Sequence, residues 1–293
     1  MSWKQFFKDN FRLLNSINII EEKETSNGFD RTKEISDLLD IIERKIEEFM
    51  KTGFKLLDKN CNLETPLHIT SKLGYLGVVK ILIDKGADVN AIDIDLNTPL
   101  HLAFREVFSD KLLELTNSSI IRKISIIITI LIDNGANINA KNIKRITPLH
   151  LATETGIPML VETLINKGAD LDIENNLGDN PFHYACKYGY LKIVKIFISK
   201  SININVLNHC KRNSLHLAVQ YDHPEIVKIL LDNYININSI DDNNDTPIDI
   251  ARMFKNYKMI ELLKDKKKSE TLNSSNENLT TLSRKVNKLL NRK

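Results

Sequence analysis

Apolar residues occur along this chain in short runs with helical spacing, and similar runs return repeatedly. In the run VVKILI, at residues 78–83, the apolar positions lie three and four residues apart, which predicts one face of a helix. An extended, more polar piece such as DVNA, at residues 88–91, follows the run. The pattern therefore predicts short helices separated by extended connections.

A six-residue motif, TPLHLA at Thr147, sets the interval at which the runs return. Related segments begin at Thr65, Thr98, Asn180, Asn213 and Thr246. Successive starts differ by 33, 49, 33, 33 and 33 residues, and the one larger interval exceeds the others by 16. A constant period in this range is typical of a repeat array, so the six segments are predicted to share one local structure.

Each copy of the motif carries the signals that begin and end helices. Thr caps a helix N-terminus through its hydroxyl, and Pro suits the next position, where no amide donor is needed. A second helix is predicted to end at Gly86, Gly135 or Gly168, because Gly adopts the left-handed conformation that closes many helices. Ser201 and Tyr234 stand at that position in two later copies, which predicts either a different turn or locally weaker repeats.

A helix, a turn, a second helix and an extended finger in each copy resemble the ankyrin repeat family, over roughly residues 63–268. The resemblance implies an all-α fold, an ankyrin-repeat solenoid of stacked helix-turn-helix units with short β-hairpin or finger loops. It also implies that the motif His ties the turn to the backbone and that partners bind the concave surface of fingertips and first helices. The structural motif residues are Thr65, His68, Thr98, His101, Thr147, His150, His183, His216 and Thr246.

The regions before the first clear repeat are predicted to cover the end of the array. Residues 1–30 are predicted to be an amphipathic helix and a linker, and residues 31–64 a degenerate capping repeat. The helix either binds a membrane surface or a partner, or packs on the array, because terminal repeats need a cover. Its apolar residues at helical spacing are Trp3, Phe6, Phe7, Phe11 and Leu14.

The six repeats are predicted to span residues 65–268, and the second contains an insertion at residues 106–123. The insertion falls between the two helices of that repeat, where it lengthens the first helix or forms a loop. Two interpretations remain open: a helix extension that packs locally, and an added contact surface.

Composition and charge limit the possible partners. Of 293 residues, 42% are hydrophobic and 27% charged, which is ordinary for a folded protein. The net charge of +3 is unevenly distributed, because residues 264–293 contain nine Lys or Arg and three Asp or Glu. The array itself is therefore mildly acidic, and no nucleic-acid partner is expected. The basic tail, residues 269–293, is predicted to contain a short amphipathic helix. Either an acidic membrane or a nucleic acid attracts this tail, or the tail is solvated or docks on a partner.

No enzyme, cofactor or metal site is predicted. The five histidines of the motif lie on adjacent helices about 8–10 Å apart, too far to share one zinc ion at about 2 Å. His209 and Cys210 are adjacent but have no third group to orient them, as nucleophilic catalysis requires. Asp93 and Asp95, or Asp241, Asp242 and Asp245, could imitate calcium ligands, yet the Gly and distal Glu of an EF-hand loop are missing.

Candidate partner-binding residues follow from the phase of the repeat. Tyr188 and Tyr221 occupy the same position of neighbouring repeats, preceded by Lys187 and Gln220. Tyr contributes much interface energy at low entropic cost; covering of the helix ends is the alternative role. Apolar residues at the predicted fingertips are Ile92, Ile94, Ile143, Leu177 and Leu207.

The sequence thus predicts a monomeric, non-enzymatic scaffold that binds a partner protein. Heavy use of Ile, Asn and Lys suggests an AT-rich genome, and with it an effector of an intracellular organism. The protein is predicted to be cytoplasmic or delivered into a host cell. The alternative function is a peripheral membrane tether that uses the aromatic N-terminal helix and the basic tail, and a cryptic enzyme is a third hypothesis.

Overall fold

Helices are the regular elements of the structure, a computed structural model that describes residues 2–17, 32–105 and 118–265. No strand is assigned within those residues. In chain order the helices are α1 (Trp3–Asp9), α2 (11–17), α3 (Thr32–Lys51), α4 (Pro66–Lys72), α5 (Leu76–Asp84), α6 (Pro99–Leu102), α7 (Ser118–Asp133), α8 (Pro148–Glu154), α9 (Pro158–Asn166), α10 (Pro181–Tyr188), α11 (Leu191–Ser199), α12 (Ser214–Gln220), α13 (Pro224–Asp232), α14 (Pro247–Met253) and α15 (257–265).

The helices form two compact units, Met1–Asn176 and Leu177–Lys293. In the first unit, the first helices α4, α6 and α8 contact one another in sequence, and so do the longer helices α3, α5, α7 and α9. In the second unit, α10, α12 and α14 form one layer, and α11 contacts α13 in the other. Each unit is thus a stack of helical hairpins, and the predicted all-α repeat fold is confirmed.

The core of each unit lies between neighbouring hairpins. Ala152, Ala185 and Ala218, the small residues of the motif, are completely buried, and their size lets the next helix approach closely. Both helices of a hairpin contribute large buried apolar side chains, such as Phe182 of α10 and Phe197 of α11. Full burial of each such side chain stabilises the fold by about 1.5–3 kcal/mol.

The first helices begin as the motif predicts. Thr65 has an extended backbone, and its hydroxyl oxygen caps the backbone N–H of His68. Asn180 and Asn213 cap α10 and α12 in the same way through their side-chain carbonyl oxygens. The helix start therefore depends on the oxygen of the capping side chain, which both Thr and Asn supply.

The second helices end on a left-handed residue in the five copies whose closing turn lies within the described residues, including the two that lack Gly. Gly86 and Gly168 have φ values of +86° and +89°, while Ser201 and Tyr234 have φ values of +58° and +61°. The N–H of Ser201 donates to the carbonyl of Ile198 at 2.9 Å, as the N–H of Gly168 does to Ile165 at 3.0 Å. The alternative of a different turn is therefore wrong, and the later repeats adopt a backbone conformation that Gly would adopt with less strain.

Placing Gly at a turn that has Ser, and Ser at a turn that has Gly, should change the free energy of unfolding in opposite directions. Ser201→Gly is expected to raise the free energy of unfolding by about 1 kcal/mol, because a side chain at positive φ costs roughly that much. Gly168→Ser should lower it by a similar amount. A Cβ at Gly168 would meet no atom within 4 Å, so this loss would be conformational and not steric. Chemical denaturation followed by circular dichroism measures the free energy of unfolding of both variants. A Gly168→Ser variant as stable as the wild type would contradict the explanation.

The insertion of the second repeat lengthens the second helix. α7 has 16 residues where α5 has nine. The first helix α6, at four residues, is shorter than its counterparts, so the expectation that the added chain lengthens the first helix is wrong. Lys123 is only 4% exposed, which shows that the insertion's last residues belong to the packed helix. Residues 106–117, with the predicted contact surface, lie outside the described residues.

The capping region is built differently from the prediction. Residues 32–51 form the single helix α3, and not a helix-turn-helix repeat. α3 contacts α5 and α1 contacts α4, so the N-terminal helix takes the place of the missing first helix. The cap is therefore assembled from two separate segments of the chain, because neither one alone covers both layers of the stack.

Burial of the N-terminal aromatic residues contradicts the membrane-tether interpretation. Trp3, Phe6 and Phe7 are 4–6% exposed, and the Trp3 ring meets Phe49 of α3 edge-on at 4.8 Å. Side chains that fill the interface with α3 are not available to enter a bilayer, whereas Phe11 is exposed. Within the described part of the chain, no helix has the length and apolar character needed to cross a membrane. The basic tail lies outside the described residues.

Candidate functional site

The tyrosine face is the surface formed by Tyr188, Tyr221, Lys187 and Gln220 in the second unit. Tyr188 ends α10 and Tyr221 follows α12, and their side chains are 38% and 45% exposed. The Lys187 ammonium lies 5.4 Å from the centre of the Tyr188 ring and 5.6 Å from that of Tyr221. Each contact is within the range of a cation–π interaction, worth about 0.5–1 kcal/mol at an exposed site. Lys187 thus links the two rings across neighbouring repeats.

The turns below the tyrosine face hold the two repeats in register. The ring of His223 donates from Nε2 to the carbonyl of Lys187 at 2.9 Å. Gly189 has φ +80°, and a Cβ there would lie 2.5 Å from the His223 ring. Gly189 is therefore required both for the left-handed turn and for the close approach of the His223 ring.

Gln220 is held by a neighbouring ion pair. Arg212 donates to the side-chain oxygen of Gln220 at 2.9 Å and contacts the carboxylate of Asp241 at 2.8 Å. Burial alone would raise the pKa of Asp241, but hydrogen bonds from Arg212 and two backbone N–H groups outweigh it and lower the pKa. The charged pair persists at neutral pH, so the Gln220 side chain is pre-oriented beside the tyrosines.

The five predicted fingertip residues are all exposed. In the first unit, Ile92, Ile94 and Ile143 are 43%, 59% and 56% exposed, and in the second unit Leu177 and Leu207 are 62% and 43% exposed. The sequence predicts that some of these five residues bind a partner and that others pack between fingers. Their exposure leaves large apolar surface at the fingertips of both units.

Backbone hydrogen bonds join adjacent fingertips. The N–H of Ile94 donates to Asn62 at 2.9 Å and that of Ile143 donates to Asp95 at 2.9 Å, both to carbonyl oxygens. In the second unit, His209 donates to Leu177 at 3.0 Å. The apolar side chains are consequently displayed from a hydrogen-bonded ladder in each unit, and a partner would meet a pre-ordered surface.

Some exposed apolar residues were missed by the sequence reasoning. Phe254 is 61% exposed and lies 33 positions after Tyr221, so the repeat period alone could have found it. Met253 and Tyr257 are 68% and 77% exposed, and their positions carry no comparable signal. Phe254 extends the series of Tyr188 and Tyr221 to a third repeat of the same unit.

The motif histidines link each first helix to the finger of the next repeat. The ring nitrogen Nδ1 of His68 accepts from the backbone N–H of Thr65 at 3.2 Å, and Nε2 donates to the carbonyl of Asn97 at 3.0 Å. His101 makes the same pair of contacts with Thr98 and Ile146. Because Nδ1 accepts, the hydrogen resides on Nε2, and the ring is neutral.

The other motif positions follow the same geometry with local changes. His183 and His216 accept at Nδ1 from Asn180 and Asn213, and Thr147 donates to His150. In the last copy the carboxylate of Asp249 accepts from the backbone N–H of Thr246. The hydroxyl of Thr246 also donates to this carboxylate. This side-chain hydrogen bond lowers the pKa of Asp249 most, and the backbone hydrogen bond lowers it further. A negative charge near the helix start is favourable, so Asp replaces the capping function of His there.

The remaining polar candidates contact the chain itself. Asp93 accepts from the backbone N–H groups of Asp95 and Asn97, and Asp241 from those of Asn243 and Asp245. These carboxylates close the finger turns. In the described ranges, no three His, Cys, Asp or Glu side chains lie close enough together to hold a metal ion.

The cysteines differ in their environment. Cys186 is buried, and burial raises the pKa of its thiol well above its usual range. Cys61 and Cys210 are exposed, and neither forms a disulfide. His209, beside Cys210, packs on Gly178, where a Cβ would lie 2.5 Å from the His209 backbone nitrogen. The ring therefore serves the packing of the fingertips.

Comparisons with known proteins agree with this geometry. A family model described as ankyrin repeats in three copies matches residues 40–123 and 118–208, and one described as ankyrin repeats in many copies matches residues 198–251. The fold is similar to the crystal structure of the human ASB11 ankyrin repeat domain. That similarity has a TM-score of 0.56 at 26% identity and covers 69% of this chain and 84% of the other.

Two curated relatives match shorter segments. An ankyrin repeat protein of Rickettsia bellii (strain RML369-C) is 47% identical over 49 residues, which is 17% of this chain and 20% of that protein. The ankyrin repeat protein FPV230 of Fowlpox virus (strain NVSL) is 37% identical over 70 residues, 24% of this chain and 32% of the relative. The matches thus span a third or less of these relatives. The repeated helical hairpins, the capping histidines and the matched family models together establish that this chain belongs to the ankyrin repeat family.

Proposed function

We propose that this protein is a non-enzymatic module that binds a partner protein through the tyrosine face of the second unit, and that the exposed fingertips of each unit are further contact surfaces. The observation that carries the proposal is the pair Tyr188 and Tyr221, partly exposed at equivalent positions and bridged by Lys187. The ankyrin fold is typically an interaction module without catalytic activity. Aromatic residues with exposed faces are also the side chains that most often dominate binding energy.

Pre-organisation is the proposed mechanism of binding. The rings are held by Lys187 and by the His223 hydrogen bond beneath them, and Gln220 is held by Arg212. A surface that is ordered before binding loses little conformational entropy on association. The apolar fingertips, and Phe254 beside the tyrosines in the repeat series, would add contact area.

Removal of the two rings should weaken partner capture. Tyr188→Ala with Tyr221→Ala is expected to reduce affinity at least tenfold, because hot-spot residues contribute about 2 kcal/mol or more each. The measurement is affinity capture from the native cell, identification by mass spectrometry, and titration of the purified partner. Tyr234→Ala is the matched control, because Tyr234 is 81% exposed but lies after a second helix. Equal affinity of the double variant and the wild type would exclude the tyrosine face.

The proposed function also includes the compartment in which the protein acts and the organism from which its partner comes. We infer that the protein acts as a monomer in the cytoplasm, or as an effector that meets a host protein. The similarity to proteins of Rickettsia bellii and Fowlpox virus supports the second setting. Recovery of host proteins in the capture experiment would favour the effector role, and recovery of proteins of the producing cell alone would contradict it.

A further inference from the structure

A second concave surface, the N-terminal groove, lies in the first unit between α1, the first finger and α4. The groove has a volume of about 570 Å³, within the 300–1,000 Å³ typical of binding pockets. Phe7 and Tyr75 line it and are 4% and 8% exposed, and Phe11 and Leu73 line it with 54% and 36% of their surface exposed. An apolar concavity of this size can accept several side chains of a partner.

The charges along the groove are mostly positive. Among the described residues that line it, Lys4, Lys8 and Lys72 are basic and Glu64 alone is acidic. The carboxylate of Glu64 accepts from Asn60 at 2.7 Å and lies 3.6 Å from Lys72, so its charge is already compensated. Over the described residues, no carboxylate lies within salt-bridge distance of Lys4 or Lys8, and both side chains are exposed. The groove therefore has an excess of positive charge beside an apolar floor.

We propose that the N-terminal groove binds an acidic amphipathic helix of another protein. Apolar side chains of that helix would contact Phe11 and Leu73, and its carboxylates would pair with Lys4 and Lys8. Recognition of one apolar helix face by a groove is a common mode of peptide binding. The proposal is independent of the tyrosine face, which lies in the other unit.

The spacing of the two lysines favours a helical partner. Lys4 and Lys8 are four residues apart on α1, which corresponds to about 6 Å along the helix axis. Carboxylates four residues apart on a partner helix have the same separation. Two such pairs would form side by side, and each would be strengthened by the apolar surface that shields it from water.

A membrane surface fits the groove less well than a helix does. Phe7 and Tyr75 are buried in the concavity, where a bilayer interface does not reach. Among the described residues of its wall, Phe11 is the one aromatic side chain that is more than half exposed. Interfacial helices instead present a continuous apolar face. An anionic lipid surface is therefore treated as the competing outcome of the test.

Three labelled peptides of 14 residues would test the proposal with the full-length chain. All three have Leu and Phe at helical spacing. The remaining positions are Glu in the first peptide, Gln in the second and Lys in the third. Fluorescence anisotropy is expected to show the Glu peptide binding at least tenfold more tightly than the Lys peptide. The variant Lys4→Glu with Lys8→Glu should reverse this order, and Phe11→Ala should weaken all three peptides.

Matched controls separate the groove from general electrostatics. Lys33→Glu with Lys45→Glu changes the net charge equally at exposed residues of α3, and should leave the order of affinities unchanged. Tyr188→Ala with Tyr221→Ala should also have no effect. Equal binding of the three peptides, no binding at all, or the same loss in both charge variants would overturn the proposal. Sedimentation with phosphatidylserine vesicles that depends on Lys4 and Lys8, without peptide binding, would replace it with the membrane alternative.

Discussion

Acidification from pH 7 to pH 4.5 is expected to lower the free energy of unfolding by about 2 kcal/mol through His101 alone. His101 is 1% exposed, and burial lowers the pKa of its ring from 6.5 to about 4. The unfolded chain binds a proton below pH 6.5 while the folded chain does not until about pH 4. Stability is therefore full above pH 6.5 and falls as the pH decreases through this window.

The same protonation would break a cap. Nδ1 of His101 accepts from the backbone N–H of Thr98 at 3.1 Å, and a protonated Nδ1 cannot accept. Burial also lowers the pKa of His68 and of His216, so the effects have the same sign in both units. Urea unfolding followed by circular dichroism at several pH values between 7 and 4.5 measures the loss.

The variant His101→Gln isolates this residue from the carboxylates that also titrate in acid. Gln at the third helical position can accept from the capping residue's N–H, and it has no charge change. The variant should be less stable at pH 7, and its deficit relative to the wild type should shrink by about 2 kcal/mol by pH 4.5. A deficit that is constant across the pH range would show that His101 is not held neutral in the folded protein.

Trp3→Ala is expected to lower the free energy of unfolding by about 3–5 kcal/mol, the usual loss when a large aromatic side chain is removed from a core. Trp3 is 4% exposed, its ring packs against Phe49 and Phe7, and its indole N–H donates to the carbonyl of Lys55 at 2.9 Å. The substitution would remove both the packing and the hydrogen bond that attach α1 to the capping region. Chemical denaturation measures the total loss, and hydrogen exchange should show faster opening of α3 and α4.

Phe11→Ala is the matched control for the cap. Phe11 belongs to the same aromatic series in the sequence but is 54% exposed, so its removal should cost less than about 1 kcal/mol. Similar losses for Trp3→Ala and Phe11→Ala would contradict the assignment of α1 as part of the cap. Trp3→Phe should fall between them, because it keeps most of the packing and loses the hydrogen bond.

Local signals made the repeats readable from the sequence. A Thr or Asn at the first position of the motif, and a left-handed residue after the second helix, act through backbone groups within a few positions of themselves. The positions of Tyr188 and Tyr221 followed from the 33-residue period, and so could that of Phe254. The period applies because each hairpin repeats the same packing against its neighbour.

The sequence did not predict how the structure accommodates departures from the 33-residue period. Ser201 adopts the left-handed conformation of the Gly it replaces, because hydrogen bonds of the preceding helix outweigh about 1 kcal/mol of local strain. The added residues of the second repeat extend α7 and leave α6 short. Periodicity does not choose between those helices, since an apolar run can continue either one.

The sequence by itself determined the repeat and where most of its helices begin and end, because these depend on contacts between residues close along the chain or one period apart. The resemblance to the ankyrin family implied the structural role of the motif histidines, and the hydrogen bonds of the structure show that their rings are neutral. Tertiary structure alone decided which aromatic side chains are buried. Trp3 and Phe11 look alike in the helical pattern, yet only Trp3 meets Phe49 and Lys55, which lie some 50 residues away. Contacts at such separations depend on how the cap closes over the stack, and no local pattern encodes that closure.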